Sequence, residues 1–206
     1  MIGGDQAFMM GLFPDTRASL ILRLGDADAR AWDEFVSIYQ PVVYRMARRH
    51  GLQHADAEEL VQEVLIAVSR AVGSWVPDAE RGRFRAWLHR IARNLIVNYL
   101  TRPGHRAWST GNSEMHRLLE AECDGGAAAT QWFEIEYRRE VLQRASEAVR
   151  RTVQDRTWRA FWLTTMDDLP IGEAARQLEM SVGGVYIARS RVMARLREEV
   201  RRIEAE

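Results

Sequence analysis

The stretch Ile171-Gly-Glu-Ala-Ala-Arg-Gln-Leu-Glu-Met-Ser-Val-Gly-Gly-Val-Tyr-Ile-Ala-Arg-Ser-Arg-Val-Met-Ala-Arg-Leu196 contains two helical periods and a turn between them. Ile171, Ala174, Ala175 and Leu178 recur at the spacing of one face of a short helix. Met180-Ser181 supplies a tight turn, and the Ser181 hydroxyl is placed to cap the helix that follows. At 100° per residue, Val185, Ala188, Val192 and Leu196 form one stripe of that second helix. Gly183, Tyr186, Ile187, Ser190, Arg191 and Ala194 fall opposite. Small residues at the helix crossing and a short turn are what a helix-turn-helix requires. The outer face has short side chains, one aromatic ring and one arginine, so it can come close to base edges. Arg189 and Arg195 flank it where phosphates would lie. An ordinary αα-hairpin with a basic, solvated face fits the same spacing, and both readings stand at this level.

Working outward, helical pattern covers Arg156–Thr165 and about Tyr137–Val153, which makes residues 138–206 an all-α domain. Residues 102–137 lose the period. They hold Pro103-Gly104, Ser109-Thr-Gly-Asn-Ser and Gly125-Gly126, and read as a linker with at most one short helix. Before them lies a second helical domain, residues 19–101, preceded by a tail over 1–18. Its first long helix, Ala29–Arg49, carries an apolar stripe of Trp32, Phe35, Val36, Tyr39, Val43, Met46 and Ala47. Pro41 should bend that helix or mark a junction, and Gly51 should stop it. The expected fold class is therefore all-α: an N-terminal helical bundle and a C-terminal helix-turn-helix domain joined by a flexible acidic linker.

Two helices of the N-terminal domain present unlike surfaces. In Ala55–Val72, the stripe Ala57, Leu60, Val61, Val64, Val68 and Ala71 faces the core, and Glu59, Gln62, Glu63 and Ile66 face away. An apolar residue with a charged rim is a common build for a protein interface, although a solvated face with one stray isoleucine fits as well. In Gly82–Leu100, the core residues are Phe84, Leu88, Ala92, Leu95 and Tyr99, with Trp87 and Ile91 at the margin. The other side presents Arg83, Arg90, Arg93, Asn94, Val97 and Thr101. Arginine suits phosphate, and asparagine can make two hydrogen bonds to a base edge. Trp75, in the loop before this helix, can fill the core or stack on an unpaired base.

Charge is arranged in blocks. The 206 residues carry 29 basic and 29 acidic side chains, and every basic one is arginine. By segment the net charge is −5 over residues 1–80, +7 over 81–106, −5 over 107–137 and +3 over 138–206. A neutral total excludes a wholly basic, histone-like chain but not nucleic-acid binding, which depends on how charge is distributed. The single cysteine, Cys123, lies in an acidic Glu-Cys-Asp-Gly-Gly setting that disfavours a thiolate and cannot form an internal disulfide. His50 and His54 have metal-ligand spacing, but Gly51 interrupts it. No phosphate-binding glycine loop, paired-cysteine motif or nucleophile triad is evident. No metal, cofactor, small-molecule substrate or enzymatic activity is expected. The N-terminus lacks a basic segment and a long apolar core, so neither a signal peptide nor membrane insertion is expected.

With these residues in place, the sequence resembles the RNA polymerase sigma factors of the sigma-70 family, in their extracytoplasmic-function (ECF) group. The resemblance covers roughly residues 20–101 and 138–203. Its most specific part is Asp56-Ala-Glu-Glu-Leu-Val-Gln-Glu-Val followed by Phe84-Arg-Ala-Trp-Leu-His-Arg-Ile-Ala-Arg-Asn-Leu. The third part is Leu169-Pro-Ile-Gly-Glu-Ala-Ala-Arg-Gln-Leu-Glu-Met-Ser-Val-Gly-Gly-Val.

The resemblance implies an alternative sigma factor of a bacterial cytoplasm that binds core RNA polymerase and promoter DNA, both duplex and melted non-template strand. It implies polymerase binding by Glu59, Gln62, Glu63 and Ile66. For the minus-ten element it implies Arg83, Arg90, Arg93, Asn94, Asn98 and Arg102, with Asn94 at a flipped-base position. For the minus-thirty-five element it implies the helix-turn-helix, through Ser181, Gly183, Tyr186, Ile187, Arg189, Ser190, Arg191 and Arg195. The acidic linker would thread toward the polymerase active-site channel, and an anti-sigma factor is a further expected partner. One departure stands out: the family commonly has a basic–Ser–Arg run after Val-Gly-x-Val, where this chain has Tyr186-Ile187-Ala188. The alternative to a sigma factor is a stand-alone helix-turn-helix transcriptional regulator.

Overall fold

A computed structural model describes residues 18–26, 28–75, 84–101 and 127–205, and every regular element among them is helical. The chain divides into two compact units, one holding the described residues up to Glu140 and the other those from Val141 on.

The first unit is built on α1 (Ala18–Gly25), α2 (Ala29–Arg49), α3 (His54–Ala71) and α4 (Phe84–Thr101), with a short 3-10 turn over Val72–Ser74. Asp28 starts α2: its carboxylate accepts the Arg30 backbone N–H at 2.9 Å and the Arg23 Nε–H at 3.0 Å. The Arg23 hydrogen bond, helped by that backbone bond, holds the Asp28 carboxyl below its ordinary value. Pro41 lies inside α2 rather than at a junction. Its missing N–H costs one helical bond, and the neighbouring Ile38, Tyr39, Val42 and Val43 are all buried, so packing carries the helix through. Gly51 ends α2 with φ 87°, a left-handed conformation that glycine adopts without steric cost. The Gly51 and Leu52 N–H groups bond back to the Arg48 and Ala47 carbonyls, and the Leu52 side chain is buried.

The core of this unit is aromatic. Phe35 and Tyr39 of α2 meet Phe84 of α4, each with ring centroids 6.1 Å from it. Full burial of side chains of this size stabilises by roughly 1.5–3 kcal/mol each. The stripe read for α3 is buried except for Ala71, which is half-buried. On α4 the structure exchanges two neighbours: Ile96 is fully buried and Leu95 only partly.

The larger correction concerns residues 127–137, which the sequence reading gave to the linker. They are the start of a 26-residue helix, α5 (Ala127–Thr152). Its first half belongs to the N-terminal unit, with Phe133, Glu136 and Tyr137 buried. Tyr137 stacks on Tyr39 at 5.3 Å. Arg45 of α2 bonds Glu136 at 2.7 Å and Glu140 at 3.1 Å. The Arg49 guanidinium lies 4.7 Å from the Trp132 ring. The alanine run after Gly125-Gly126 was read as linker, yet alanine is the strongest helix former. Residues 102–126, with Cys123, lie outside the described residues.

In the second unit, the rest of α5 is followed by α6 (Asp155–Thr165), α7 (Ile171–Gln177) and α8 (Val182–Ala205). Ala160, Ala174, Ala175, Leu178, Val185 and Ala188 form its core cluster, with Leu163, Leu169, Ile171 and Met180 packed on it. The stripe expected on α8, Val185, Ala188, Val192 and Leu196, is buried, and Val200 extends it by one turn.

Candidate nucleic-acid interface

The α7–α8 turn is built from Leu178 to Ser181. Glu179 takes φ 52° to reverse the chain, and the Gly184 N–H donates to Ser181 Oγ at 3.0 Å, the cap expected from sequence. Along α8, Gly183, Tyr186, Ile187, Ser190, Arg191 and Ala194 are all exposed, as the helical wheel requires. Tyr186 is 56% and Ile187 61% exposed. Val182, which the wheel reading left unassigned, joins them at 51% because it lies one turn before Tyr186. Arg189 is half-buried at the edge of this face. Arg195 is exposed but occupied: its Nη1 donates to the Thr152 carbonyl at 2.9 Å.

Two rows of side chains run along α4 with a period of four. Arg90, Asn94 and Asn98 are all exposed and lie on one face. Arg85, His89 and Arg93 form the other row, and all three are buried. The Arg85 Nε–H donates to Glu134 of α5 at 2.7 Å, and its guanidinium lies 4.5 Å from the centre of the Tyr137 ring. Burial opposes the charge on Arg85, but the Glu134 hydrogen bond and the neighbouring Tyr39, Glu134 and Tyr137 side chains together outweigh it and raise the pKa above the usual arginine value. His89 packs against Phe133 with ring centroids 5.5 Å apart.

This corrects one expected contact. Arg93 is only 9% exposed and lies in the covered row, so it does not join Arg90 and Asn94 on the outer face. The wheel reading allowed α4 one core face, whereas α5 supplies a second. The partner of this row is Glu134, at the start of α5 and 49 positions from Arg85, so no local pattern on α4 announces the packing. Arg83 and Arg102 lie outside the described residues.

On α3, Glu59 and Gln62 are exposed, Glu63 is half-buried, and Ile66 is 49% exposed. Their spacing of three and four puts all four on one helix face. Trp75 packs edge-on against Phe84 at 5.5 Å and lies 6.3 Å from Trp87, so it is part of the aromatic core. The His50 Nδ1 lies 2.8 Å from the Met46 carbonyl, and His54 shares a hydrogen bond with the Tyr44 hydroxyl at 2.9 Å. Among the described residues no group of three His, Cys, Asp or Glu side chains could hold a metal, and no helix is long and apolar enough to cross a membrane.

Comparison with known proteins matches residues 35–106 to the family model for Sigma-70 region 2, a span that contains both α3 and α4. The chain is 45% identical over 75 residues to the ECF RNA polymerase sigma factor SigE of Mycolicibacterium smegmatis, covering 36% of this chain and 27% of that protein. It is 34% identical over 91 residues to the ECF RNA polymerase sigma-E factor of Haemophilus influenzae, covering 44% of this chain and 46% of that one. These two matches span less than half of either relative. The ECF RNA polymerase sigma-E factor of Escherichia coli K12 is 29% identical over 187 residues, covering 88% of this chain and 90% of that protein. A solved structure of CnrH in complex with the cytosolic domain of CnrY is 22% identical, covering 88% of this chain and 95% of that one, with a TM-score of 0.38.

Proposed function

The chain belongs to the ECF group of the sigma-70 family, and we propose that it is an alternative sigma factor, the promoter-specificity subunit of a bacterial RNA polymerase. The observation that carries this reading is the exposed row Arg90, Asn94 and Asn98 within the span matched to Sigma-70 region 2.

In this reading the Glu59, Gln62, Glu63 and Ile66 face docks on core polymerase, an apolar centre with an acidic rim. The Arg90–Asn94–Asn98 row follows the melted non-template strand at the minus-ten element. Arg90 meets phosphate, and Asn94 offers a donor and an acceptor to the Watson–Crick edge of a flipped base. The α8 face enters the major groove of the minus-thirty-five element. Arg85 and His89 act on the fold instead, holding α4 against α5. An anti-sigma partner is proposed on family membership alone.

No bond is made or broken in this mechanism. Opening the promoter costs unpairing and unstacking free energy, which capture of the melted strand offsets. Two modest DNA contacts on one chain reinforce each other through effective concentration once both are engaged. The test is binding of the purified chain to core polymerase, followed by initiation at a promoter that core alone does not use. A chain that binds its operator without polymerase, and is indifferent to charge reversal at Glu59 and Glu63, would instead be a stand-alone regulator.

A further inference from the structure

We infer that α8 reads its DNA element through the methyl groups of thymine, contacted by Val182, Tyr186 and Ile187, rather than through charged hydrogen bonds to guanine. The inference rests on the reading of α7–α8 as the duplex-binding element and goes beyond it by naming the base feature recognised.

Three observations carry it. The first is the solvent exposure of three large apolar side chains within the first two turns of one helix: 51% for Val182, 56% for Tyr186 and 61% for Ile187. No fold requirement places them there, because the core stripe of α8 is the separate set Val185, Ala188, Val192 and Leu196.

The second is the surrounding charge. From Val182 to Arg197 the helix contains no carboxylate and four arginines. Among the described residues Arg189 and Arg191 have no ion pair, and both lie just beyond the apolar group. A polyanion is the partner that such a border fits. A protein partner would have to cover the apolar group and also neutralise the arginines.

The third is Gly183. A Cβ built there meets nothing within 4 Å, so neither packing nor a positive φ calls for glycine, and the fold gains nothing from its absence of a side chain. Absence of a side chain does let an outside surface approach the helix backbone beside Tyr186 and Ile187.

In the major groove the apolar feature available to such a face is the C5-methyl of thymine, while guanine and adenine present only polar atoms there. An arginine or lysine suited to guanine O6 and N7 is missing from the first two turns of α8, where Tyr186 and Ile187 stand. Arg189 and Arg191 then serve as the phosphate contacts that set the depth of insertion. Each methyl buried against these side chains removes about one carbon's worth of apolar surface from water, which corresponds to roughly fourfold in affinity.

The experiment uses the full chain bound to core polymerase and a random-sequence duplex library. The recovered upstream element is synthesised twice, with thymine and with deoxyuridine in the segment protected by α8. The expected result is a preference for the thymine duplex of about fourfold per contacted methyl. The preference should vanish in a Tyr186→Ala/Ile187→Ala chain, in which both substituted positions are exposed, while salt-dependent binding persists. Equal binding of the two duplexes by the unsubstituted chain, with α8 still protecting the element, overturns methyl readout and leaves duplex recognition standing. Absence of any protected upstream duplex overturns both, and so does loss of polymerase binding on the double substitution, which would make the apolar group a protein contact.

Discussion

The Arg85 guanidinium is held by Glu134, with Nε 2.7 Å from Oε1, and the two residues are separated by 49 positions and by the whole of residues 102–126. Arg85 is almost completely buried in this pairing and also covers the Tyr137 ring. The contact fastens the start of α5 to α4, so the N-terminal unit is completed by residues that follow the proposed minus-ten helix. Breaking one partner of a buried pair is costlier than never having had it, because the remaining charge stays buried. Glu134→Gln should therefore destabilise the N-terminal unit by about 3 kcal/mol. Replacing both partners with Arg85→Met and Glu134→Leu should recover most of the loss. Hydrogen exchange of the α4 amides in the full chain reads this unit separately from the other. Unchanged protection in Glu134→Gln would show that the pair does not hold the helices together.

Arg90 and Arg93 should separate by their effects. Arg90→Ala alters an exposed position and should shift stability by less than about 0.5 kcal/mol, while lowering promoter opening. Arg93→Met removes a guanidinium whose Nε is buried without a hydrogen-bond partner. It should leave stability equal or higher and leave promoter opening intact. Permanganate reactivity of unpaired thymines, measured beside thermal melting, checks both. A loss of opening in Arg93→Met would return that residue to the strand path.

Asp28 provides a pH dependence. Its carboxyl is held below the ordinary carboxylate value by the Arg23 hydrogen bond, assisted by the Arg30 backbone N–H. The stabilisation is therefore fully present above the unfolded-state value of about 4 and is lost as pH falls through the lowered folded-state value. The melting temperature of the native chain should exceed that of Asp28→Asn at neutral pH, and the gap should close at acid pH. A gap independent of pH would mean that the charge contributes nothing to the cap.

Glu179 takes φ 52° in the turn between α7 and α8, a conformation that costs a residue with a Cβ about 1–2 kcal/mol. Its side chain lies 3.7 Å from Arg156, between exposed groups, and such pairs are worth little. Glu179→Gly should raise the melting temperature of the C-terminal unit, and the β-branched Glu179→Val should lower it. Calorimetry of the full chain distinguishes these from the reverse order, which would mean the turn is not strained.

Much of this was legible from periodicity. The α8 stripe and the Ser181 cap follow from helical spacing and a hydroxyl at the right place, and the α3 face with Ile66 follows in the same way. Two features did not follow. The covered row of α4 depends on a partner helix far along the chain, and no local pattern on α4 distinguishes an arginine facing water from one facing Glu134. The start of α5 was hidden because Gly125-Gly126 and a net negative charge look like linker composition. Two of the six acids in residues 107–137, Glu134 and Glu136, are held in ion pairs with Arg85 and Arg45. The acidity of that segment is thus partly structural, and the blockwise charge of the sequence partly reflects pairing between a basic block and the acidic block after it.

A sigma factor directs core RNA polymerase to promoters, and mapping of transcript starts in a purified reaction with core polymerase and genomic DNA fragments, with and without the chain, reads that role. The expected result is new starts that share upstream elements, diminished at least tenfold by Asn94→Ala and by Ile66→Asp, the first leaving polymerase binding intact and the second abolishing it. Starts that are unchanged by the chain, together with no binding to core polymerase, would contradict it.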